Sequence, residues 1–272
     1  MSKSDDLVFR KRDGIGYVVF NRPEARNALT FEMQQRLLEI CDQVNADTDV
    51  RALIVTGTGE RAFTAGIDVS QFRSFTGLAG SDVDSERALH QEQEVMDFQN
   101  RTARLLDAIE TCRVPTVAAI QGACVGDGLV IAAACDLRIC SPNAVFGMPI
   151  ARTLGNCLSM PVFARLTQLI GAGRLADMIF TARLVSAQEA LAMGLVMETP
   201  LDAIQHAEYL ARRIFEHAPL TLRATREALR RLRPRVSVED GRDLALSCYL
   251  SRDFHEGIDA FLHKRPPHWR GE

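Results

Sequence analysis

The sequence has no apolar run long enough to span a membrane and no apolar segment near its start. A transmembrane helix needs about 20 mainly apolar residues in a row, and the apolar stretches of this chain are shorter. Residues 1–14 read MSKSDDLVFRKRDG and lack the apolar centre of a signal peptide. We therefore expect a cytoplasmic protein that has no membrane partner.

Long runs of lysine and arginine are also missing. The chain has 32 basic and 35 acidic residues, and its net charge is −3. Proteins that bind the phosphates of nucleic acids usually carry a basic patch or arm. The charge balance therefore argues against a nucleic-acid partner.

Metal-ligand spacing is absent as well. The seven cysteines stand at 41, 112, 124, 135, 140, 157 and 248, and no two are separated by two residues. Their number is odd and most have apolar neighbours, which is typical of reduced cysteines in a protein core. The six histidines show no ligand spacing either. We expect no structural metal.

What the chain does contain is an ordinary globular composition. It has 272 residues, of which 47% are hydrophobic and 25% charged, enough for one large domain or two small ones. Predicted strands and helices alternate up to about residue 200, and the remainder reads as helix with breaks at Pro219 and Pro234. This order predicts an α/β core domain over 1–200 and a helical region over 201–272.

Several local signals place the elements within that order. Asp13-Gly14 predicts a hairpin over residues 7–20, and Thr30 predicts a helix cap before an apolar stripe at helical spacing. Ser186-Ala187-Gln188-Glu189 fits a capping box. We also predict a mobile loop at 73–88, a helix at 89–111 and a last short strand at 195–197.

The stretch from Gln121 to Pro149 contains a glycine turn that opens a short apolar helix. It reads QGACVGDGLVIAAACDLRICSPNAVFGMP. The first backbone N–H groups of a helix have no partner within it, and they lie at the positive end of its dipole. Such a turn binds an anion, or a carbonyl oxygen that becomes an anion during a reaction.

Four motifs in order give the chain a family resemblance. NRPEARNAL at 21–29, RAFTAGIDV at 61–69, the glycine turn with CDLRI at 135–139, and SAQEALAMGLV at 186–196 resemble the crotonase superfamily, the enoyl-CoA hydratase/isomerase group. The resemblance covers about Val8 to Arg270. It implies a spiral of ββα units, followed by C-terminal helices that build a homotrimer, often paired into a homohexamer.

The resemblance also implies an oxyanion hole made by two backbone N–H groups. One belongs to Ile67 and the other to Asp127, in the Gly126-Asp127-Gly128 turn. Such donors stabilise the enolate oxygen that forms when a thioester reacts at its α or β carbon. For the Asp127 side chain we expect a capping role on helix 128–134, because aspartate is a good N-cap. An acid or base role is the alternative.

The sequence departs from the family at the two positions where hydratases carry glutamates. Counted from the shared motifs, these positions are Val130 and Ile150, and neither side chain can transfer a proton. The usual hydration mechanism therefore does not carry over. Arg152, Thr153, Asn156 and Cys157 are candidates for polar groups in the acyl pocket, together with Glu86, His90, Glu92 and Glu94 on the following side of the predicted loop.

Coenzyme A would enter as part of the thioester substrate, with no other cofactor bound. The resemblance implies contacts along a path from the phosphates to the pantetheine arm. The residues expected there are Arg22, Arg26, Ala65, Ile67, Asp68, Val69, Ser70, Asp127 and Lys264, with Arg265 beside the last. Asp68 reads as a loop-organising cap.

Three functions remain open from the sequence. The first is an acyl-CoA enzyme of the enoyl-CoA hydratase/isomerase type. The second is a decarboxylase or isomerase that uses the oxyanion hole with other acids, and Arg152 would then anchor a substrate carboxylate. The third is a catalytically silent acyl-CoA-binding protein.

Overall fold

The structure is a computed structural model that describes residues 6–72 and 85–272, with the side chains of 85–87 left aside. The loop predicted at 73–88 falls largely outside these residues. No described helix is both long enough and apolar enough to cross a membrane. No group of three or more potential metal-binding side chains occurs in the described part of the chain.

Nine strands form two sheets in the described residues. They are β1 (Leu7–Arg12), β2 (Ile15–Phe20), β3 (Ala52–Gly57), β4 (Ala62–Thr64), β5 (Thr116–Ile120), β6 (Ala123–Val125), β7 (Leu137–Cys140), β8 (Val145–Gly147) and β9 (Val185–Ser186). The larger sheet has the order β1-β2-β3-β5-β7 and the smaller one β4-β6-β8-β9. The predicted hairpin is confirmed, because β1 pairs with β2 in antiparallel register from Leu7↔Phe20 to Arg12↔Ile15.

The strands alternate between the two sheets along the chain. β3, β5 and β7 lie parallel in the larger sheet, and the strands that follow them, β4, β6 and β8, lie parallel to one another in the smaller sheet, where β9 pairs with β8 in antiparallel register. Each pair of strands is then followed by a helix. This is the ββα repetition that the resemblance implied, and it arises without any repeat in the amino-acid sequence.

Eleven α-helices complete the described residues. They are α1 (Phe31–Ala46), α2 (Ser85–Glu110), α3 (Asp127–Ala134), α4 (Ile150–Thr153), α5 (Met160–Ile170), α6 (Ala172–Phe180), α7 (Ala187–Ala192), α8 (Ala203–Phe215), α9 (Pro219–Arg231), α10 (Arg242–Tyr249) and α11 (Arg252–Leu262). Thr30 caps α1 as predicted, since its side chain accepts a hydrogen bond from the Met33 N–H. The apolar stripe of α1 is buried.

Two local predictions need correction. Residues 195–197 do not form a strand, and only Glu198 makes an isolated bridge, to Ile139. The capping box is half formed: Ser186 accepts from the Glu189 N–H, but the Glu189 carboxylate pairs with Arg183 instead of turning back. A charged partner within reach gives the stronger hydrogen bond.

The CDLRI motif has a structural role. Asp136 accepts hydrogen bonds from the N–H and hydroxyl of Thr116 and from Arg226 on α9, at 2.6–3.0 Å. The buried Arg138 donates to the backbone carbonyls of Cys135 and Leu195. These contacts fasten the end of α3 to the larger sheet and to the C-terminal helices.

The last helices pack back on their own chain. α8 covers the outer face of the larger sheet through small buried residues such as Ala207. α10 and α11 join an aromatic cluster in which Phe72 contacts Phe254 and Phe98 contacts Tyr249, both at ring distances of 5.7 Å, and the rings of Phe72 and Phe98 lie 5.1 Å apart. This cluster forms one wall of the cavity described next.

Candidate functional site

Two glycine-containing loops come into contact at the centre of the molecule. Gly66 follows β4, and Gly126 follows β6 and precedes α3. A Cβ atom added to Gly66 would lie 3.0 Å from the Val125 carbonyl oxygen and 3.3 Å from the Asp127 nitrogen. Both glycines have positive φ, +89° and +56°, a conformation that glycine adopts without steric cost. Only glycine at position 66 lets the two backbones approach so closely.

The contact leaves two backbone donors unused. The carbonyls of Gly66 and Leu29 accept from Leu29 and Asp68, so the hydrogen bonds of this loop bypass the Ile67 N–H. The Asp127 N–H begins α3 and belongs to the first turn, whose donors have no helical partner. No described residue accepts a hydrogen bond from either group. Such paired donors stabilise negative charge on an oxygen.

The loop that precedes α1 holds the first donor in place. Asn27 is fully buried, and its amide donates to the carbonyls of Thr58 and Ala62 while its oxygen accepts from the Arg22 N–H. Ala65 N–H in turn donates to the Arg26 carbonyl at 3.0 Å. The NRPEARNAL segment therefore holds residues 62–68 in place through these hydrogen bonds.

The Asp68 carboxylate adds further hydrogen bonds to this region. Its carboxylate accepts from the Ser70 N–H at 3.1 Å, from the Ser70 hydroxyl at 2.7 Å and from Arg22 at 3.2 Å. Partial burial acts to raise the pKa of Asp68, but the bonds from Ser70 and Arg22 outweigh it and hold the pKa below its ordinary value. Asp68 is an ionised structural group, in line with the loop-organising role expected from the sequence.

A cavity of about 270 Å³ opens beside the two unused donors. It extends from Arg26 at one side, past the glycine loops, to side chains of α2, α5, α10 and α11. Of the residues expected at the site, the cavity is lined by Arg26, Ala65, Ile67, Val69, Asp127, Val130, Ile150, Thr153, Asn156 and Cys157.

The Asp127 side chain does not cap α3, so that expectation was wrong. The N-cap is Gly126, and no side chain caps this helix. The carboxyl group instead lines the cavity, where it accepts a hydrogen bond from the Gln34 amide at 3.3 Å. Asp127 keeps some exposure to the open cavity, but protein surrounds its carboxyl group and this burial raises its pKa to about 7. Burial without a cation favours the neutral acid.

The other residues named from the sequence lie apart from the cavity lining. Arg22 pairs with Asp6 and Asp68, so it has no free cation to offer a phosphate. Arg152 and Lys264 are exposed. On α2, His90 pairs with Glu94, and Glu92 pairs with Arg242. The side chain of Glu86 lies outside the described residues.

Several cavity residues were missed from the sequence. They come from helices that are distant along the chain: Gln34, which holds Asp127, and the lining residues Gln99, Thr102, Ser159, Tyr249 and Phe261. Gln34 did leave a signal, because it is a polar residue on the buried side of α1, between Met33 and Leu37. The others depend on how α2, α5 and α10 pack, which no local pattern encodes.

A larger cavity of about 630 Å³ lies elsewhere, between α2, α5 and the chain after α9. Arginines dominate its lining, but Arg165 and Arg233 are paired with the buried Glu110. It contains neither of the unused N–H donors nor Asp127. The smaller cavity therefore holds the chemical groups of interest.

Comparison with known proteins agrees with this geometry. The family model described as enoyl-CoA hydratase/isomerase matches residues 10–272. The chain belongs to the enoyl-CoA hydratase/isomerase family. A short-chain-enoyl-CoA hydratase of Clostridium acetobutylicum is 30% identical, with 96% of each chain covered. A crotonyl-CoA hydratase of Syntrophomonas wolfei is 28% identical, also with 96% of each chain covered.

Solved structures of the family share the fold. A crystal structure of an enoyl-CoA hydratase/carnithine racemase from Magnetospirillum magneticum superposes with a TM-score of 0.73 at 28% identity, covering 98% of this chain and 96% of the other. Another family protein, from Hyphomonas neptunium, gives 0.73 at 31% identity, covering 99% of this chain and 100% of the other. The mixed α/β, crotonase-like fold expected from the sequence is confirmed.

Proposed function

We propose that the protein is an acyl-CoA thioester enzyme of the enoyl-CoA hydratase/isomerase type, which stabilises an enolate with the backbone N–H groups of Ile67 and Asp127. The observation that carries the proposal is the contact between Gly66 and the Gly126-Asp127 turn, which brings two unused donors to the edge of one cavity. The names of the family relatives supply the thioester substrate.

The chemistry follows from where charge develops. Removing a proton from the α carbon of a thioester, or adding a nucleophile to the β carbon of an enoyl thioester, places negative charge on the carbonyl oxygen. One fixed donor to such an oxygen is worth about 3 kcal/mol. The two backbone donors do not depend on side-chain identity, so the aspartate side chain at position 127 leaves the hole intact.

The absence of glutamate at positions 130 and 150 favours a mechanism other than the two-carboxylate hydration. Val130 and Ile150 both line the cavity as apolar walls. A single proton-transferring group suffices for a double-bond isomerisation, in which a proton leaves one carbon and returns to another. Decarboxylation is less well supported, because Arg152 is exposed and does not line the cavity as a carboxylate anchor would.

For coenzyme A we propose a path over the first glycine loop. Arg26, Ala65, Ile67 and Val69 line the cavity on this side. Arg26 and Lys264 are exposed cations suited to phosphates. Asp68, Ser70 and Arg22 stabilise the loop over which this path runs.

We also propose assembly into a homotrimer or homohexamer through the helical region 201–272, beside a core domain of 1–200. α9 has no buried residue in the single chain. Leu220 and Leu232 on and after this helix are 77% and 76% exposed. Large apolar side chains exposed together mark interaction surfaces. The unbonded cysteines favour a reducing compartment such as the cytoplasm.

One assay tests the enzymatic proposal. The protein would be incubated in deuterated water with a panel of enoyl-, 3-hydroxyacyl- and malonyl-type CoA thioesters and followed by mass spectrometry. Deuterium incorporation, or a mass gain of water, is expected. Loss of carbon dioxide would indicate the decarboxylase. Tight thioester binding with no mass change across the panel would contradict catalysis and favour a silent acyl-CoA-binding protein.

A further inference from the structure

We propose that the side chain of Asp127 is the group that carries the proton between carbon atoms of the bound acyl chain, with Gln34 as its positioning residue. This inference rests on the proposed function and goes beyond it, because the oxyanion hole needs only the backbone of Asp127. The side chain has a separate role, and its chemistry can be removed while the backbone donor stays.

The residues that line the cavity leave few other candidates. Among the described residues that line it, four can ionise: Arg26, Asp127, Cys157 and Tyr249. A hydrogen bond with Cys248, together with burial, raises the pKa of the Cys157 thiol, and burial raises the pKa of Tyr249. An arginine stays protonated. Asp127, with a pKa of about 7, is the lining residue whose proton is exchanged readily near neutral pH.

The position of Asp127 suits the task. Its N–H is one of the two donors expected to hold the thioester oxygen, and its carboxyl group is two bonds from the same Cα. A group so placed lies close to the α carbon of a thioester held in the hole, since that carbon is bonded to the carbonyl carbon. Val130, one helical turn further along α3, supplies an apolar wall of the same cavity.

Gln34 completes the arrangement from α1. It is 1% exposed, and its amide nitrogen donates to one carboxyl oxygen of Asp127 at 3.3 Å. The other end of the amide, Oε1, is buried and has no donor among the described residues. A protonated Asp127 can donate its O–H to that oxygen, whereas an ionised one cannot. Gln34 thus fits both states of a carboxyl group that gains and loses a proton.

The proton balance is simple. Ionised Asp127 takes a proton from the α carbon of the thioester. The C–H electron pair forms a double bond between the α carbon and the carbonyl carbon, and the carbonyl oxygen becomes the enolate oxygen held by the two N–H groups. Return of the proton to the γ carbon of a dienolate gives the isomerised enoyl thioester and ionised Asp127 again. Return to the α carbon gives hydrogen exchange alone. No oxidant or further reactant is needed.

The test uses exchange of the α hydrogens of butyryl-CoA in deuterated water. For the wild-type chain we expect exchange that rises with pH to a plateau, with a midpoint near 7, because the ionised form is the base. Asp127→Asn should slow exchange by about 10²- to 10⁴-fold and abolish the midpoint. Its Kd for butyryl-CoA should change less than about threefold, because the backbone donors remain.

Matched controls separate this role from a structural one. Asp42→Asn, an exposed carboxylate on α1, should exchange like the wild type. Gln34→Leu should slow exchange and move the midpoint upward, because the ionised carboxylate loses its amide donor and charge-assisted bonds are the stronger ones. Gln43→Leu on the exposed side of α1 should do neither.

The outcomes are distinct. Exchange by Asp127→Asn within tenfold of the wild type, with the same pH dependence, overturns the role of Asp127 and leaves the proposed function standing. Wild-type binding of butyryl-CoA without exchange also overturns it. If the wild type binds no CoA thioester, the proposed function itself fails. Thermal unfolding shows whether each variant is folded. The pH dependence of exchange by the wild type tests the role of Asp127 even if a variant does not fold.

A second, independent observation points to the class of acyl chain. We infer that the part of the cavity lined by Thr102 and Ser159 binds an oxygen-bearing group on the acyl chain, such as a hydroxyl. Thr102 and Ser159 line this part and are only 7% and 5% exposed. Their hydroxyl oxygens, and Oδ1 of Asn156, are buried without a hydrogen-bond partner in the described residues. Most buried side-chain polar atoms have a partner, and an oxygen on the acyl chain would supply one to these three.

The chemistry of the three atoms selects the group. Each hydroxyl can donate and accept, and Asn156 Oδ1 accepts. The Asn156 amide nitrogen already donates to the Tyr249 hydroxyl at 3.1 Å, and Thr153, named earlier for this role, donates to the Pro149 carbonyl. Arg26, beside the glycine loops, is the one cation among the lining residues that the structure describes. A neutral hydroxyl therefore fits better than a carboxylate.

Competition binding distinguishes the chain types. The full chain would be titrated with hexanoyl-CoA, with hexanoyl-CoA bearing a terminal hydroxyl, and with its terminal carboxylate analogue. We expect the hydroxylated chain to bind at least tenfold more tightly than the plain chain, since a site with unpaired polar groups rejects an apolar analogue. Thr102→Val with Ser159→Ala should remove that preference, and Thr48→Val, an exposed threonine, should keep it. Equal binding of the plain and hydroxylated chains, or preference for the carboxylate, overturns the inference.

Discussion

Asp68 and Asp127 stand in matching places on the two loops that meet at the cavity, yet their surroundings differ. Asp68 follows the Ile67 donor and accepts bonds from Ser70 and Arg22. Asp127 carries the other donor, and within the described part of the chain its carboxyl group accepts a hydrogen bond from the Gln34 amide alone. The pKa of Asp68 is held below its ordinary value, although burial opposes this, whereas burial raises the pKa of Asp127 to about 7.

The difference teaches that the partners of a carboxyl group decide its role more than its place in a motif. A carboxylate that has a cation and several donors is fixed in its ionised form and stabilises a loop. A carboxyl group that is surrounded by protein and has a single amide partner can change its protonation state near neutral pH. The predictions below would break or sharpen this contrast.

The largest effect is expected from removing the contact between the two loops. Gly66→Ala places a methyl group 3.0 Å from the Val125 carbonyl at a positive φ, so the donors should separate. We expect exchange of thioester α hydrogens to fall by about 10²- to 10³-fold, as for loss of an oxyanion donor. Gly59→Ala is the matched control: its φ is also positive, but nothing lies within 4 Å. Equal losses in the two variants would refute the role of the close approach.

The next effect is a pH dependence of stability with opposite signs for the two aspartates. The folded pKa of Asp127 is about 7, above the ordinary value of 3.8 for an aspartate side chain. The folded state therefore holds the proton longer, and this group makes the protein less stable as pH rises from about 4 to 7. Asp127→Asn removes the penalty, so its stability relative to the wild type should increase over that range by roughly 2–4 kcal/mol. Urea unfolding at several pH values measures this.

Asp68→Asn should behave in the opposite way and by less. The folded pKa of Asp68 is lowered, so its contribution to stability is present above the unfolded pKa and is lost as pH falls through the folded one. We expect the variant to be about 1–2 kcal/mol less stable than the wild type at pH 7, because Arg22 loses a charged partner. The deficit should shrink in acid. Curves that run parallel for the Asp127 and Asp68 variants would contradict the comparison.

The smallest effect concerns the cavity wall on the Asp127 side. Tyr249 is 1% exposed, and its hydroxyl donates to the Cys157 carbonyl at 3.2 Å and accepts from Asn156. Tyr249→Phe should lower the free energy of unfolding by about 1 kcal/mol, with little change in exchange rate. Tyr209→Phe, at a tyrosine that is 53% exposed, should leave stability unchanged. A large loss of exchange in Tyr249→Phe would assign part of the proton transfer to that hydroxyl.

Much of the fold was predictable because its signals are local. The Asp13-Gly14 hairpin and the Thr30 cap each depend on residues within one turn of each other. The family motifs then fixed the order of the elements and the crotonase-like fold. The short strand at 195–197 failed because the N–H groups of Leu195 and Val196 bond to the Ala190 carbonyl of α7, and the chain reaches β7 only at Met197 and Glu198.

The site was predictable in its backbone and not in its side chains. Glycine at 66 and 126 is a local requirement of positive φ, so the sequence indicated where the two donors lie. The cap assigned to Asp127 was wrong because α3 begins one residue earlier than expected and Gly126 takes the N-cap position. Arg152 was expected in the pocket, but α4 turns it outward.

The sequence by itself determined the family and the order of strands and helices, and it predicted the two backbone donors and apolar residues, Val130 and Ile150, where glutamates are usual. These depend on residue identity and on neighbours close along the chain. Only the tertiary structure brought Gln34 from α1 to Asp127, and the lining residues of α2, α5 and α10 to one cavity. The pKa of a carboxyl group depends on the burial and partners that distant segments provide. For that reason the protonation of Asp127 was decided by packing.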